Sequence, residues 1–402
     1  GRNLYQKTSL SLLARELGVS KPALYRHFTS KQALIDAMAQ RFFDDFSAAI
    51  RADFEQALQT QDPDEGIFII VQSIAGFFIR NVQALIFSMI NVYDRNLDER
   101  TITEHLKTRG VDMSSIQIVM KKYNAHPATI KLMFATLTFY TSNFHKENKS
   151  MTLEKQPSDE QAQAVISVIH KIVKSGLGFS IEKAGNLDFQ KLESMVEGTM
   201  QNTTPEPLFK AVAEAVAEAG PWHASMEMVA KRMGLSKSSL YGHFKNRKDM
   251  LRRLFLGEFK RIIDFARQGI KQSTDAAEQL YLGIYSIAVY LRSRPEVLVA
   301  IGWIRTRKLD LGKPEKQMEI FRLFEDIKIE SLQNITEEER VLTSHWILFL
   351  LVSILTRSYI EEGETSVDVK NDDIRVLFKF ITLGLGGAML VKNEKLGVRN
   401  EK

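Results

Sequence analysis

Apolar residues recur at helical spacing along most of the chain. Leu10, Leu13, Ala14 and Leu17 share one helical face, Gly18 follows, and Ser20 stands where a second short helix would begin. In that second helix Leu24 and Phe28 point back to the first, whereas Lys21, Ala23, Tyr25 and His27 point elsewhere. The pattern is that of a helix-turn-helix whose second helix packs by one side and is presented by the other. A long helix runs on from Lys31 through Leu34, Ile35, Met38, Phe42, Phe43 and Phe46. Further helices are predicted at 66–81, 84–93, 114–123, 128–144 after Pro127, and 160–175, the last stopped by Gly176-Leu177-Gly178. The pattern predicts an all-α protein.

The same order then returns. Sliding the chain by 216 positions lays residues 9–34 on 225–250 without a gap: Ser9, Ala14, Gly18, Ser20, Lys21, Leu24, Tyr25, His27 and Phe28 each meet their own kind. In the second copy Met228, Val229 and Met233 pack, Gly234 turns, Ser236 caps, and Lys237, Ser239, Tyr241 and His243 are presented. Helices are predicted at 275–293, 295–305, 314–329, 337–359 and 372–382, the last stopped by Gly384-Leu385-Gly386-Gly387. The matching Gly-Leu-Gly ending places the helical body inside the duplication. A helix at 207–219 leads into the second copy, while only seven residues lead into the first; this reads as a trimmed chain. The expected domains are a helix-turn-helix domain at 1–46, its body at 47–185, a linker at 186–206 with a short helix at 187–196 and then a Pro- and turn-rich stretch, a second helix-turn-helix domain at 207–262 and its body at 263–402.

The runs from Gly18 to Leu34 (G-V-S-K-x-x-L-Y-x-H-F-x-S-K-x-x-L) and from Gly234 to Met250 resemble the DNA-binding domain of TetR-type transcriptional repressors. The resemblance implies a helix-turn-helix followed at once by a helix that opens on a basic residue, and it covers about a quarter of the chain. It implies that double-stranded operator DNA is a partner, contacted through Ser9, Ser20, Lys21, Ala23, Tyr25, Arg26, His27 and Lys31 in one half. In the other half the residues are Ser225, Ser236, Lys237, Ser238, Ser239, Tyr241, His243, Lys245 and Arg247. Family subunits pair through their last two long helices, so here the two all-helical ligand-binding and pairing bodies would join within one chain as a pseudo-dimer. An unknown small-molecule effector would release the repressor by shifting it to a spacing of the reading helices that no longer suits the DNA.

Charge supports this placement. Residues 1–46 hold seven Lys/Arg against four Asp/Glu (+3), and 207–262 hold eleven against five (+6), which leaves 5 − 9 = −4 for the remainder. Positive charge therefore sits where phosphates would lie. With no cysteine, disulfides and thiolate metal sites are excluded, in keeping with a cytoplasmic protein. The longest apolar runs, at 67–79 and 346–355, fall short of the roughly 20 residues of a membrane span. No glycine-rich phosphate loop, His-Glu-x-x-His or catalytic pair is present, so neither an enzyme nor a cofactor or metal site is expected. His27 and His243 as metal ligands would need a recurring acidic or histidine partner, and none recurs. Phe78, Met89, Tyr93, Phe139 and Tyr140, with Tyr285, Trp303, Trp346 and Arg357, are candidate effector-lining residues, against the plainer reading that they are core and that Arg357 holds an ion pair. The alternative function is a helical binding platform whose helix-turn-helix units do not bind DNA. Against it, packing modules have no use for exposed Lys21/Lys237, Tyr25/Tyr241 and His27/His243.

Overall fold

The computed structural model describes residues 10–93, 99–114, 116, 118, 121, 128–148, 157–198, 207–242, 247–306, 319–330, 333, 335–361 and 371–387. Among the described residues every regular element is a helix and no strand occurs, so the all-α expectation holds. The chain divides into two compact units, Gly1–Asn124 with Thr136–Lys171 and Ala125–Ala135 with Ile172–Lys402.

In the first unit, α1 (Leu10–Glu16) and α2 (Lys21–His27) close on Leu10, Ala14 and Leu24, with Leu13, Phe28 and Leu34 against them. Gly18 makes the turn at φ 66°, a left-handed conformation that other residues resist. Leu17, expected on the packed face, is 65% exposed, because α1 ends at Glu16 and the turn carries the next residues outward. α3 (Lys31–Gln59) buries Phe43, Phe46, Ile50, Phe54 and Ala57, a stripe of three- and four-residue steps, against α4 (Pro63–Arg80). Asp62 caps α4, accepting from the Asp64 N–H at 2.9 Å, and Pro63 occupies the first turn, where its missing N–H costs nothing. After a break at Asn81 come α5 (Val82–Tyr93), α6 (Glu99–Lys107), α7 (Ala128–Glu147) from Thr136 on and α8 (Asp159–Ser175) as far as Lys171, the remainder of both belonging to the second unit. Of the helix expected at 114–123, residues 114, 116, 118 and 121 are helical and the rest lie outside the described residues.

In the second unit, α9 (Ile181–Ala184) and α10 (Phe189–Glu197) precede α11 (Pro207–His223), α12 (Met226–Arg232) and α13 (Lys237–Gly242). α14 (Arg247–Ile270) lies along α15 (Ala276–Arg292), followed by α16 (Pro295–Thr306), α17 (Glu337–Glu361) and α18 (Asn371–Gly387). α11 buries Leu208, Phe209, Ala211, Val212 and Ala215, and packs on α16. Part of the expected linker is built into this unit, for α10 buries Phe189, Leu192 and Val196 and packs on α15. Of the helix expected at 314–329, residues 314–318 lie outside the described residues, and the rest is a single 3-10 turn, Glu319–Arg322, followed by turns and irregular chain; Ile329 would lie opposite the helical face of Ile320, Leu323, Phe324 and Ile327, yet all five are buried.

Contacts recur between the halves at a near-constant shift. Thr60 donates to Glu65 at 2.6 Å and Ser273 to Glu278 at 2.6 Å, a shift of 213 (273 − 60 = 278 − 65). Arg80 binds Asp159 at 2.8 Å and Arg292 binds Asn371 at 2.7 Å, a shift of 212 (292 − 80 = 371 − 159). The two Gly-Leu-Gly endings also meet each other inside the second unit. The Leu177 N–H donates to the Ile381 carbonyl at 2.7 Å and the Phe179 N–H to that of Thr382 at 3.1 Å. A methyl group on Gly176 would lie 2.5 Å from the Ile381 oxygen, and one on Gly384 2.5 Å from the Lys174 carbonyl, so glycine is required on both sides.

Candidate DNA-reading surfaces

Each reading helix is positioned by a serine and a leucine. Ser20 caps α2 by accepting from the Ala23 N–H at 3.2 Å, and Ser236 caps α13 by accepting from the Ser239 N–H at 3.0 Å. Leu24 and Leu240 are buried beneath them. That anchoring leaves Lys21, Tyr25, Arg26 and His27 exposed on α2, and Lys237, Ser238 and Ser239 exposed on α13, with Ala23 and Tyr241 half-buried. The Lys21 ammonium lies 5.6 Å from the centre of the Tyr25 ring, which holds the ring beside the charge on the outer face. Ser30 starts α3 by accepting from the Ala33 N–H at 3.0 Å, and so places Lys31 in the first turn, half-buried.

Three of the predicted contact residues have local bonds that their sequence positions do not reveal. Ser225 accepts from the Met228 N–H at 3.3 Å and caps α12, while Ser238 and Ser239 share hydrogen bonds with the Ser236 hydroxyl at 2.9 and 2.7 Å. Ser9, His243 and Lys245 lie outside the described residues, as does the side chain of Arg247.

The predicted effector-lining residues sit in packed surroundings. Phe78 stacks on Phe46 with ring centres 5.6 Å apart, Met89 is half-buried and accepts from the Ser142 hydroxyl at 3.3 Å, and Phe139 meets Tyr140 edge-on at 5.2 Å. Burial raises the Tyr140 hydroxyl pKa above its ordinary range. Tyr285 stacks on Tyr281 and donates to Glu197 at 2.6 Å, and Trp346 is fully buried. The side chains of Tyr93, Trp303 and Arg357 lie outside the described residues. A groove of about 450 Å³ in the first unit and a cavity of about 250 Å³ beside Phe324 and Arg340 in the second are lined by other residues.

Two buried ionic clusters in the second unit escape a reading of spacing alone. Glu193, on the segment expected as linker, accepts from Nε and Nη2 of Arg375 at 2.8 and 2.9 Å, from the Tyr281 hydroxyl at 2.6 Å and from the Asn371 amide at 3.0 Å, while Arg375 Nη1 donates to Asp372 at 3.3 Å. Burial pushes its carboxyl pKa up, but these donors outweigh it and hold the carboxyl below its usual range. Glu258, fully buried on α14, accepts from the Tyr290 hydroxyl at 2.6 Å, from Arg294 at 3.1 Å and from Arg261 at 2.6 Å. It ties the helix leaving the reading domain to the body. Among the described residues no group of side chains could hold a metal ion, and no single helix is long and apolar enough to cross a membrane.

Among the described residues, two short capped helices, each following a turn and each presenting a lysine outward, have the arrangement of a helix-turn-helix. Residues 5–38 and 208–254 match the model of the family described as bacterial regulatory proteins, tetR family. Over 115 residues the chain is 27% identical to the fatty acid metabolism regulator protein of Bacillus subtilis (strain 168), an alignment that covers 29% of this chain. The chain spans 59% of the length of that relative. Among solved structures it matches the fatty acid degradation regulator FadR from Bacillus halodurans at 17% identity, covering 45% of this chain and 97% of that one, with a TM-score of 0.32.

Proposed function

We propose that this protein is a transcriptional regulator that binds one operator as a covalent pseudo-dimer, each half supplying one reading helix, and that a small effector bound in a helical body releases it. The observation that carries the reading is that Lys21 and Tyr25 on one reading helix recur as Lys237 and Tyr241 on the other, on outer faces that packing does not require. The recurring Thr60–Glu65 and Ser273–Glu278 bonds, and the mutual approach of Gly176 and Gly384, support two fused copies whose last helices adjoin. Two-fold pairing then needs no second chain. The name of the Bacillus subtilis relative directs the effector search to compounds of fatty acid metabolism, and repression in the cytoplasm is the setting the reading implies. Selection of bound DNA from a random pool, followed by sedimentation on the selected duplex, tests it. One chain per duplex is expected. Two chains per duplex would show each half pairing with another molecule, and failure to enrich any sequence would favour a binding platform that does not engage DNA.

A further inference from the structure

The helix that leaves each reading domain meets its own body at a joint, and the two joints are built from different chemistry. Lys31 opens α3 and Arg247 opens α14, yet fifteen positions separate Lys31 from the buried Phe46 (46 − 31) and eleven separate Arg247 from the buried Glu258 (258 − 247). Beyond that point the buried positions Phe46, Ile50, Phe54 and Ala57 answer to Glu258, Ile262, Ala266 and Gly269 at a shift of 212. Between its reading domain and its joint, α14 is thus shorter than α3 by four residues, about 6 Å of helix.

At the same shift Phe78 answers to Tyr290 and Val82 to Arg294. In the first unit Phe46 stacks on Phe78 at 5.6 Å and meets Phe77 edge-on at 5.1 Å. Arg109 also donates to Asp44 at 2.7 Å and to Gln40 at 2.6 Å, but the Asp44 side chain is 62% exposed, where water competes for the carboxylate. In the second unit Glu258 accepts from the Tyr290 hydroxyl at 2.6 Å and from Arg294 at 3.1 Å. The Arg294 guanidinium also donates to that hydroxyl and lies 4.2 Å from the centre of the Tyr290 ring. Glu258 and Arg294 are both buried, so solvent does not replace a lost partner. Ring pairs keep their attraction over centre separations from about 4.5 to 7 Å, whereas a hydrogen bond is confined to about half an ångström. A displacement that the first joint absorbs would break the second and leave a buried charge unpaired.

We infer that Glu258 is a positioning residue: held by Tyr290 and Arg294, it fixes the register of α14 and so the place of α13, while the aromatic joint lets α3 shift and α2 adjust. The consequence rests on the proposed regulator. With connecting helices of unequal length, the second half sets the position on the duplex and the first adapts to it.

The chain has no cysteine, so spin labels can be placed on introduced cysteines alone. Val19→Cys with Asn81→Cys spans the first joint, and the corresponding exposed pair, Leu235→Cys with Ser293→Cys, spans the second. In the full-length protein without DNA, the distance distribution of the second pair is expected to be at most about half as wide as that of the first, given the freedom that hydrogen bonds and ring contacts allow. Glu258→Phe with Tyr290→Phe and Arg294→Val writes the first joint into the second, and Arg261, whose side chain is 45% exposed, keeps its hydration. This triple variant should widen the second distribution to match the first while thermal unfolding stays cooperative, a change that lost stability alone does not produce. Equal widths in the parent, or a folded triple variant whose distribution stays narrow, would overturn the positioning role. If the triple variant does not fold, the two widths in the parent decide. Failure of operator selection would remove the regulator and leave these widths as they are.

Discussion

At the scale of single residues the two ionic sites make opposite demands. Lys237 is exposed on α13 and is proposed to meet a phosphate, so Lys237→Ala should weaken binding to all DNA sequences alike and reduce the slope of log affinity against log salt by about one. A salt titration that leaves the slope unchanged would remove the phosphate role. Glu193 is instead 5% exposed, and Glu193→Ala would leave the Arg375 guanidinium with Asp372 alone, at 3.3 Å, in place of the two bonds to Glu193. The loss should be about 3 kcal/mol, toward the low end for a broken buried pair because the Arg375 side chain keeps 23% of its exposure and its contact with Asp372. Its pH dependence follows from sign. The folded carboxyl is held below the unfolded one, so its stabilisation is present above the ordinary glutamate range and disappears as pH falls through the lower folded value. Chemical denaturation at neutral pH and at successively more acidic values should show the variant and the parent converging in acid; a gap that stays constant would reject the assignment. Neither demand is equally legible in sequence. Lys237 recurs with Lys21 and declares itself, whereas Glu193 lies in a stretch bounded by turn residues, and its partner is 182 positions away.

At the scale of elements, punctuation accounts for what the sequence disclosed. Ser20, Ser236, Asp62 and Asp275 start helices because their side chains meet the free N–H groups of the first turn, and glycines stop them, so most helices could be placed in advance. Segments held by long-range partners were harder to place. α10 forms where a short helix is expected at 187–196, but its packing on α15 is not legible from a stretch that reads as linker, and the described part of the helix expected at 314–329 holds only the turn at Glu319–Arg322. Glycines that look alike in sequence also differ in task. Gly234 at φ 69° has no atom within 4 Å of where a methyl would go, so Gly234→Ala carries only the conformational cost, about 1 kcal/mol. Gly384 at φ 63° carries that cost and in addition would press a methyl 2.5 Å from the Lys174 backbone. Gly384→Ala should therefore lower stability by at least about 2 kcal/mol, with Gly234→Ala as control. Thermal unfolding of the two variants side by side decides it, and equal shifts would mean the close approach is not maintained in solution.

At the scale of the whole molecule, fusion removes the identity between reading helices that a homodimer must keep. Ser20, Lys21, Leu24 and Tyr25 match Ser236, Lys237, Leu240 and Tyr241, the positions that cap, pack or face phosphates, whereas Pro22, Ala23 and Arg26 stand opposite Ser238, Ser239 and Gly242. The local bonds rank these differences. The Ser238 and Ser239 hydroxyls already bond to Ser236, so turning to a base edge would exchange one hydrogen bond for another and add little discrimination. Arg26 is exposed, and a guanidinium that takes a guanine in two hydrogen bonds is worth about 1–3 kcal/mol of preference. Gly242 offers no side chain, and nothing lies within 4 Å of where one would begin. The operator is accordingly expected to hold two unlike half-sites, with a base pair read strongly in the half facing α2 and tolerated in the half facing α13. Inverted copies of either half-site should bind more weakly than the natural pair. Gly242→Arg should then shift preference toward an inverted repeat of the first half-site, since both halves would carry the same reader. A selected site that is already a perfect palindrome, or a Gly242→Arg protein whose half-site preference is unaltered, would show that these positions do not read bases.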